Sequence, residues 1–183
     1  MYGIDIWVNS LVSATTSDQG TFFMKIATSA LCPETILLIS LVGILYFLYK
    51  KLWNNALITI FALGGGIGFS MFMKEVFSRA RPESILLAET GNSFPSNHAV
   101  AATIFLTLLI YFFANKIKAG VWRNIFVTIC VLLAILISFS RVYLGVHWVT
   151  DVVAGMIFGV VWTGVVIYLV RVKGGISRED SNY

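Results

Sequence analysis

Long apolar stretches alternate with short polar ones along this chain of 183 residues. A helix rises about 1.5 Å per residue and the hydrocarbon core of a bilayer is about 30 Å thick, so a spanning helix needs roughly 20 mostly apolar residues. Four charge-free stretches meet that need with small extensions at their ends: Ala56 to Met73, Ala99 to Ala114, Ile125 to Phe139 and Val152 to Val170. A fifth, Ile36 to Tyr49, is too short alone, so its helix must reach back past Glu34 and Pro33 or lie where the bilayer thins. The pattern predicts an all-α fold, a polytopic transmembrane helical bundle of five to six spans, the sixth depending on whether Thr21 to Leu31 also crosses.

At the start of the chain, Ile4, Trp7, Val8, Leu11 and Val12 recur at the spacing of one helical face, with Asp5, Asn9 and Ser10 on others. This stretch is too short to cross a bilayer and predicts an amphipathic helix in the interface. It lacks the basic leader and small-residue cleavage pattern of a signal peptide. The chain reads as a single integral membrane domain over 1–183, with an interfacial segment at 1–20 and a polar, cytoplasmic tail at 174–183.

Composition sharpens this picture. The chain is 58% hydrophobic and 12% charged, where soluble domains are about 45–50% apolar and about 25% charged. The net charge of +4 does not indicate a nucleic-acid partner, because the bases punctuate apolar runs instead of clustering on one solvated face. Cys32 and Cys130 have no paired spacing for a metal or a disulfide framework and read as packing residues. Gly64, Gly65, Gly66 and Gly68 lack the Lys-Ser or Lys-Thr of a nucleotide loop and predict close helix packing, as do Gly155 and Gly159. With five alternating spans, Lys50, Lys51, Lys116, Lys118, Arg123, Arg171, Lys173 and Arg178 share one side, which the excess of bases makes cytoplasmic.

The polar residues that remain near membrane depth gather at span ends on the other side. One group is Lys74, Arg79, Arg81 and Pro82, another Pro95, Ser96, Asn97 and His98, and a third Ser140, Arg141, His147 and Asp151. Ionisable groups at such depth are costly and usually face a pocket or each other. Lys74 and Arg81 stand two turns apart, sharing a face if the helix persists to Pro82, which is expected to end it. Pro95 can open the next helix, whose first turn offers free N–H groups and a positive dipole end to an anion. His147 and Asp151 stand at i and i+4, where the carboxylate can orient the imidazole and leave its other nitrogen free as base or nucleophile. Fixed cations beside a helix N-terminus suit a phosphate. Among acidic residues only Asp151 falls in a cluster core, while Glu75, Glu83 and Glu89 are scattered, so metal-independent chemistry without a cofactor is expected.

These stretches resemble the type 2 phosphatidic acid phosphatase superfamily, whose signature is Lys, six residues, Arg-Pro; Pro-Ser-Gly-His; and Ser-Arg, five residues, His, three residues, Asp. The chain reads KEVFSRARP from Lys74 to Pro82, PSNH from Pro95 to His98 and SRVYLGVHWVTD from Ser140 to Asp151. The resemblance covers about Leu37 to Val170 and departs at Asn97, where glycine is usual. It implies a hydrolase in which His147 attacks phosphorus to form a phosphohistidine, Asp151 orients it and His98 protonates the leaving oxygen. It implies further that Lys74, Arg81 and Arg141 hold the phosphate, with the Ser96 hydroxyl and the Asn97 amide. By the same resemblance the substrate is a membrane lipid phosphate, either undecaprenyl diphosphate, the favoured reading, or phosphatidylglycerol phosphate, at the outer face of a bacterial cytoplasmic membrane. A lipid phosphotransferase and a non-enzymatic anion carrier are the rival readings; against the carrier, no inverted repeat is evident.

Overall fold

The computed structural model describes residues 2–84 and 86–179. The chain forms α1 (Tyr2–Ala14), α2 (Asp18–Ala30), α3 (Pro33–Tyr49), α4 (Trp53–Ile60), α5 (Gly66–Phe77), α6 (Asn97–Phe113), α7 (Val121–Tyr143) and α8 (Val149–Glu179). A π-helical turn, Phe61–Gly65, joins α4 to α5. Among the described residues, five stretches are long and apolar enough to cross a membrane: Asp18–Tyr49, Trp53–Phe77, Asn97–Lys116, Val121–Tyr143 and Val149–Val172. Residues 21 to 31 thus fall in the same candidate span as α3, which begins at Pro33 with its proline in the first turn. The polar tail expected at 174–183 continues α8 as far as Glu179. Residues 180–183, and the side chains of Lys173 and Arg178, lie outside the described residues.

Helix α6 is the axis of the bundle. Every residue from Ala99 to Leu106 is buried, a run apolar except for Thr103 that only a central helix can satisfy. Ile36 of α3, Ile58 of α4, Ile137 of α7 and Val166 of α8 pack around it in one core cluster. In lipid there is little hydrophobic gain in helix association, so close van der Waals contact must hold the helices together. Glycine permits that approach at specific places. A Cβ on Gly159 would stand 2.9 Å from the Thr103 side chain, and one on Gly155 3.1 Å from the Ser96 carbonyl oxygen. The expected ridge on α8 therefore seats α6.

The other glycine cluster divides. Gly65 and Gly66 abut Trp162, whereas Gly64 and Gly68 meet nothing within 4 Å, so the packing role expected of all four holds for two. The Trp162 indole also donates to the Phe61 and Ala62 carbonyls at 3.2 and 3.1 Å. Carbonyls at a π-turn in an apolar medium need such partners.

Helix α1 differs from expectation in the face it buries. Asp5, assigned to a polar face, is fully buried, while Ile4, Trp7 and Leu11 point outward at 58%, 62% and 55% exposure. Val8 and Val12 pack inward against Tyr143 and Leu144. The inward carboxylate compensates buried donors, and the outward apolar residues suit a helix whose other side meets lipid.

Candidate active site

Four span ends meet at one end of the bundle: the C-termini of α5 and α7 and the N-termini of α6 and α8. Helix α5 stops at Phe77, four residues before Arg81, instead of reaching Pro82. Ser78 terminates it at φ 42°, its N–H bonded to the Lys74 carbonyl and its hydroxyl donating to Glu75 O at 2.8 Å. Local capping by a serine thus outcompetes the proline as the stop signal. Arg81 reaches the site from the following loop, where its Nε donates to Gly91 O at 3.0 Å and its Nη1 to Val146 O at 2.8 Å.

His98 and His147 line the same cavity of about 230 Å³, together with Lys74, Arg81, Asn97, Glu34 and Glu89. Lys74 is aimed by its bond to Asn92 O at 2.7 Å. Asn97 begins α6, and its side-chain oxygen accepts from Ser70 at 2.6 Å, which turns the amide toward α5 at the position where the family signature has glycine. Ser96 caps α6; it is fully buried and its hydroxyl has no hydrogen-bond partner among the described residues. Arg141 lines the adjoining cavity, which His98 and Glu89 also border, and the Glu89 carboxylate joins it to Arg81.

His147 sits on the short turn between α7 and α8, two residues before the α8 helix opens, so its approach to Asp151 is not that of two residues on one regular helix. Its Nδ1 lies 3.5 Å from Asp151 Oδ2, and its Nε2 lies 3.1 Å from Arg81 Nη1. A guanidinium only donates, so Nε2 carries the lone pair and Nδ1 carries the proton facing the carboxylate. Burial pulls the His147 pKa down to about 4, with nearby Arg81, Arg141 and Lys74 acting in the same direction and Asp151 opposing them. The imidazole is therefore neutral at pH 7.

Asp5, Glu34 and Glu89 are not singled out by the sequence, and Arg79 takes a part different from the one its cluster suggests. Arg79 was grouped with the cations of the site, but its guanidinium bonds Asp151 Oδ1 and reaches Asp5 at 2.6 Å. Burial alone would lower its pKa; the bonds to Asp5 and Asp151 outweigh that and raise it. Asp5 in turn accepts from the Thr150 N–H at 3.0 Å, so α1 buttresses the residues behind His147. Glu34 borders the cavity from the start of α3. Glu89, expected to be remote, bridges the cations: one carboxylate oxygen lies 3.0 Å from Arg81 Nη1 and the other bonds Arg141 Nη2. Spacing could not signal Asp5 or Glu89: Asp5 lies far from the motifs in α1, and Glu89 lies in the irregular loop between Pro82 and Pro95, where no helical period fixes its direction.

Because Glu89 engages the two guanidiniums, an incoming phosphate must compete with it. Glu89→Gln is expected to tighten inhibition by orthovanadate or inorganic phosphate about tenfold, the equivalent of roughly one charge-assisted hydrogen bond. Unchanged inhibition constants in the purified variant would show that no such competition exists. Among the described residues no group of three or more His, Cys, Asp or Glu is placed to hold a metal ion.

The family model described as PAP2 superfamily matches residues 7–174. The chain belongs to that superfamily. It is similar to phosphatidylglycerophosphatase B of Bacillus subtilis (strain 168), at 33% identity over 73% of this chain and 64% of the relative. It is also similar to an undecaprenyl-diphosphatase of Sulfolobus acidocaldarius, at 34% identity over 50% of this chain and 39% of the relative. Both matches span less than two thirds of the relatives' lengths. The crystal structure of a transmembrane PAP2-type phosphatidylglycerolphosphate phosphatase from Bacillus subtilis superposes with a TM-score of 0.72, at 25% identity, covering 96% of this chain and 85% of the other.

Proposed function

We propose that this PAP2 protein is a metal-independent lipid phosphatase that works through a phosphohistidine at the outer face of a bacterial cytoplasmic membrane, with undecaprenyl diphosphate as the favoured substrate. The observation that carries the reading is the shared cavity: two histidines, Lys74 and Arg81 border one space, and the His147 lone pair is already beside a cation.

The chemistry follows from the donors present. Lys74, Arg81 and Arg141 hold phosphate oxygens, and the N-terminus of α6 with the Ser96 hydroxyl and the Asn97 N–H supplies further donors. His147 Nε2 attacks phosphorus and forms an N–P bond while the bond to the leaving oxygen breaks. That oxygen keeps the electron pair and takes a proton from His98. Water then attacks the phosphohistidine, His98 accepts its proton, and inorganic phosphate leaves with His147 neutral again. Asp151 stabilises the positive imidazole through Nδ1. Phosphatidylglycerol phosphate is the alternative substrate, supported by the Bacillus relative and structure.

Purified protein is expected to release phosphate from polyprenyl diphosphate in mixed micelles, at a rate unchanged by EDTA. Loss of activity on chelation with recovery on adding magnesium would overturn the metal-independent mechanism, and retention of phosphate on an acceptor alcohol would make the protein a transferase. The membrane face has its own test. A cysteine at Asn92 is expected to react with an impermeant reagent in intact cells, and one at Lys118 is not; the reverse labelling places the site in the cytoplasm.

A further inference from the structure

Cations stand at both ends of the His147 ring. Arg81 faces Nε2, with Lys74 and Arg141 acting in the same direction, and a bound phosphate compensates all three. A further cation, Arg79, lies beyond Nδ1: it bonds Asp151 Oδ1 while Asp151 Oδ2 faces the ring. That position opposes the chemistry. The imidazole becomes positive as Nε2 bonds to phosphorus, and a carboxylate already paired with a guanidinium has little net field left to stabilise it.

Asp5 restores the balance. Its carboxylate is fully buried; Oδ2 lies 2.6 Å from Arg79 Nη2, and Oδ1 accepts the Thr150 N–H at 3.0 Å. The Thr150 hydroxyl closes the group, accepting from Arg79 Nη1 at 2.7 Å and donating to Asp5 Oδ2 at 2.9 Å. Thr150 and Asp151 stand in the first turn of α8, so α1 supplies an acceptor that the start of that helix needs. An acceptor alone does not require a charge, because Asn or Ser would serve a helix start as well. Burying a carboxylate this completely is costly unless a cation needs it. Arg79 is that cation. Asp5, Arg79 and Asp151 together carry one negative charge, whereas Arg79 and Asp151 by themselves carry none.

We infer that Asp5 is a positioning residue for the reaction: it neutralises Arg79, so that Arg79 fixes the direction of Asp151 without cancelling the negative charge that Asp151 presents to His147. The unit behind the nucleophile is therefore completed by the interfacial helix α1, whose other side carries Ile4, Trp7 and Leu11 outward. The inference rests on the phosphatase reading with His147 as the attacking group.

The test separates charge from support. Wild type and variants are assayed on farnesyl diphosphate in mixed micelles, with thermal unfolding in detergent measured alongside. Asp5→Asn is expected to lower kcat about tenfold with KM within about twofold of wild type, the size of effect that one nearby charge has on an ionising neighbour. Asp5→Ser, a second neutral replacement that can still accept from Thr150, carries the same expectation. Adding Arg79→Met to Asp5→Asn removes further hydrogen bonds yet returns the net negative charge. That double variant is expected to recover kcat to within about threefold of wild type, with no gain in unfolding temperature. A supporting role alone gives the opposite order, the double variant slower than the single. Wild-type kcat in the folded neutral variants overturns the inference, and so does a double variant as slow as Asp5→Asn or slower. Wild-type protein that hydrolyses neither farnesyl diphosphate nor phosphatidic acid fails the phosphatase reading itself, and the inference with it.

Discussion

Replacing His147 by alanine is expected to abolish phosphate release, by about 10⁴-fold or more, without preventing insertion or folding. The magnitude is that of removing a nucleophile whose partners act as a unit with it. Its side chain is 2% exposed and lies between Arg81 and Asp151. Truncation removes an imidazole whose Nε2 lone pair faces Arg81 and whose Nδ1 proton faces Asp151. The fold survives because the backbone around residue 147 is held independently: its N–H donates to Arg141 O at 3.3 Å, and Trp148 N–H donates to Asp151 at 3.0 Å. Two readouts check this. Phosphate release should vanish, and rapid acid-free quenching of wild type with labelled substrate should trap a phosphoprotein that the variant lacks. Turnover by the variant within tenfold of wild type would remove His147 from the nucleophile's role. In wild type, the depressed pKa of about 4 also keeps the nucleophile uncharged in mildly acidic solution. Protonation of His147 should therefore contribute to the acid limb of kcat/KM near pH 4, well below the 6.5 of a free imidazole.

Asp151→Asn is the second large effect, and it separates chemistry from scaffolding. The carboxylate is fully buried and accepts from Arg79 and from the Trp148 N–H while facing His147 Nδ1. An amide of the same shape loses the negative charge that stabilises a positive imidazole, so kcat is expected to fall about 10³- to 10⁴-fold, as for an orienting aspartate in other triads. Arg79 keeps its bond to Asp5 in this variant, which limits the structural damage. The control is Asp5→Ala. That change leaves the catalytic carboxylate in place but breaks a buried pair and strips Thr150 of its acceptor. It is expected to destabilise the protein by about 3 kcal/mol with a smaller loss of kcat. Thermal unfolding in detergent with parallel kinetics distinguishes the two; equal kinetic losses would make Asp151 a scaffold residue only.

Much of this protein is visible in the order of its residues. Charge-free apolar stretches of the required length predict four of the five spans, because an apolar medium leaves a helix no alternative way to satisfy its backbone; the first, Asp18–Tyr49, carries charges and extends well before the apolar run from Ile36. Gly155 and Gly159 stand on α8 where a small surface was expected. Residues of the three motifs lie at span ends because charge is excluded from the spans themselves, and His98, His147, Lys74 and Arg81 do share a cavity. Helix limits were less legible: Ser78 ends α5 before Pro82, since local capping competes with a proline signal at short range.

Tertiary structure alone decided which charges meet. Asp5 reaches Arg79 across 74 residues and Glu89 reaches Arg141 across 52, contacts that depend on how α1 and the loop before α6 fold back over the bundle. The same placement brings Arg141 beside Thr28 and joins it to Arg81 through the Glu89 carboxylate. Hydropathy along a chain reports the medium each segment must enter, a one-dimensional property. Ion pairing depends on three-dimensional distance and desolvation, which no spacing along the chain contains.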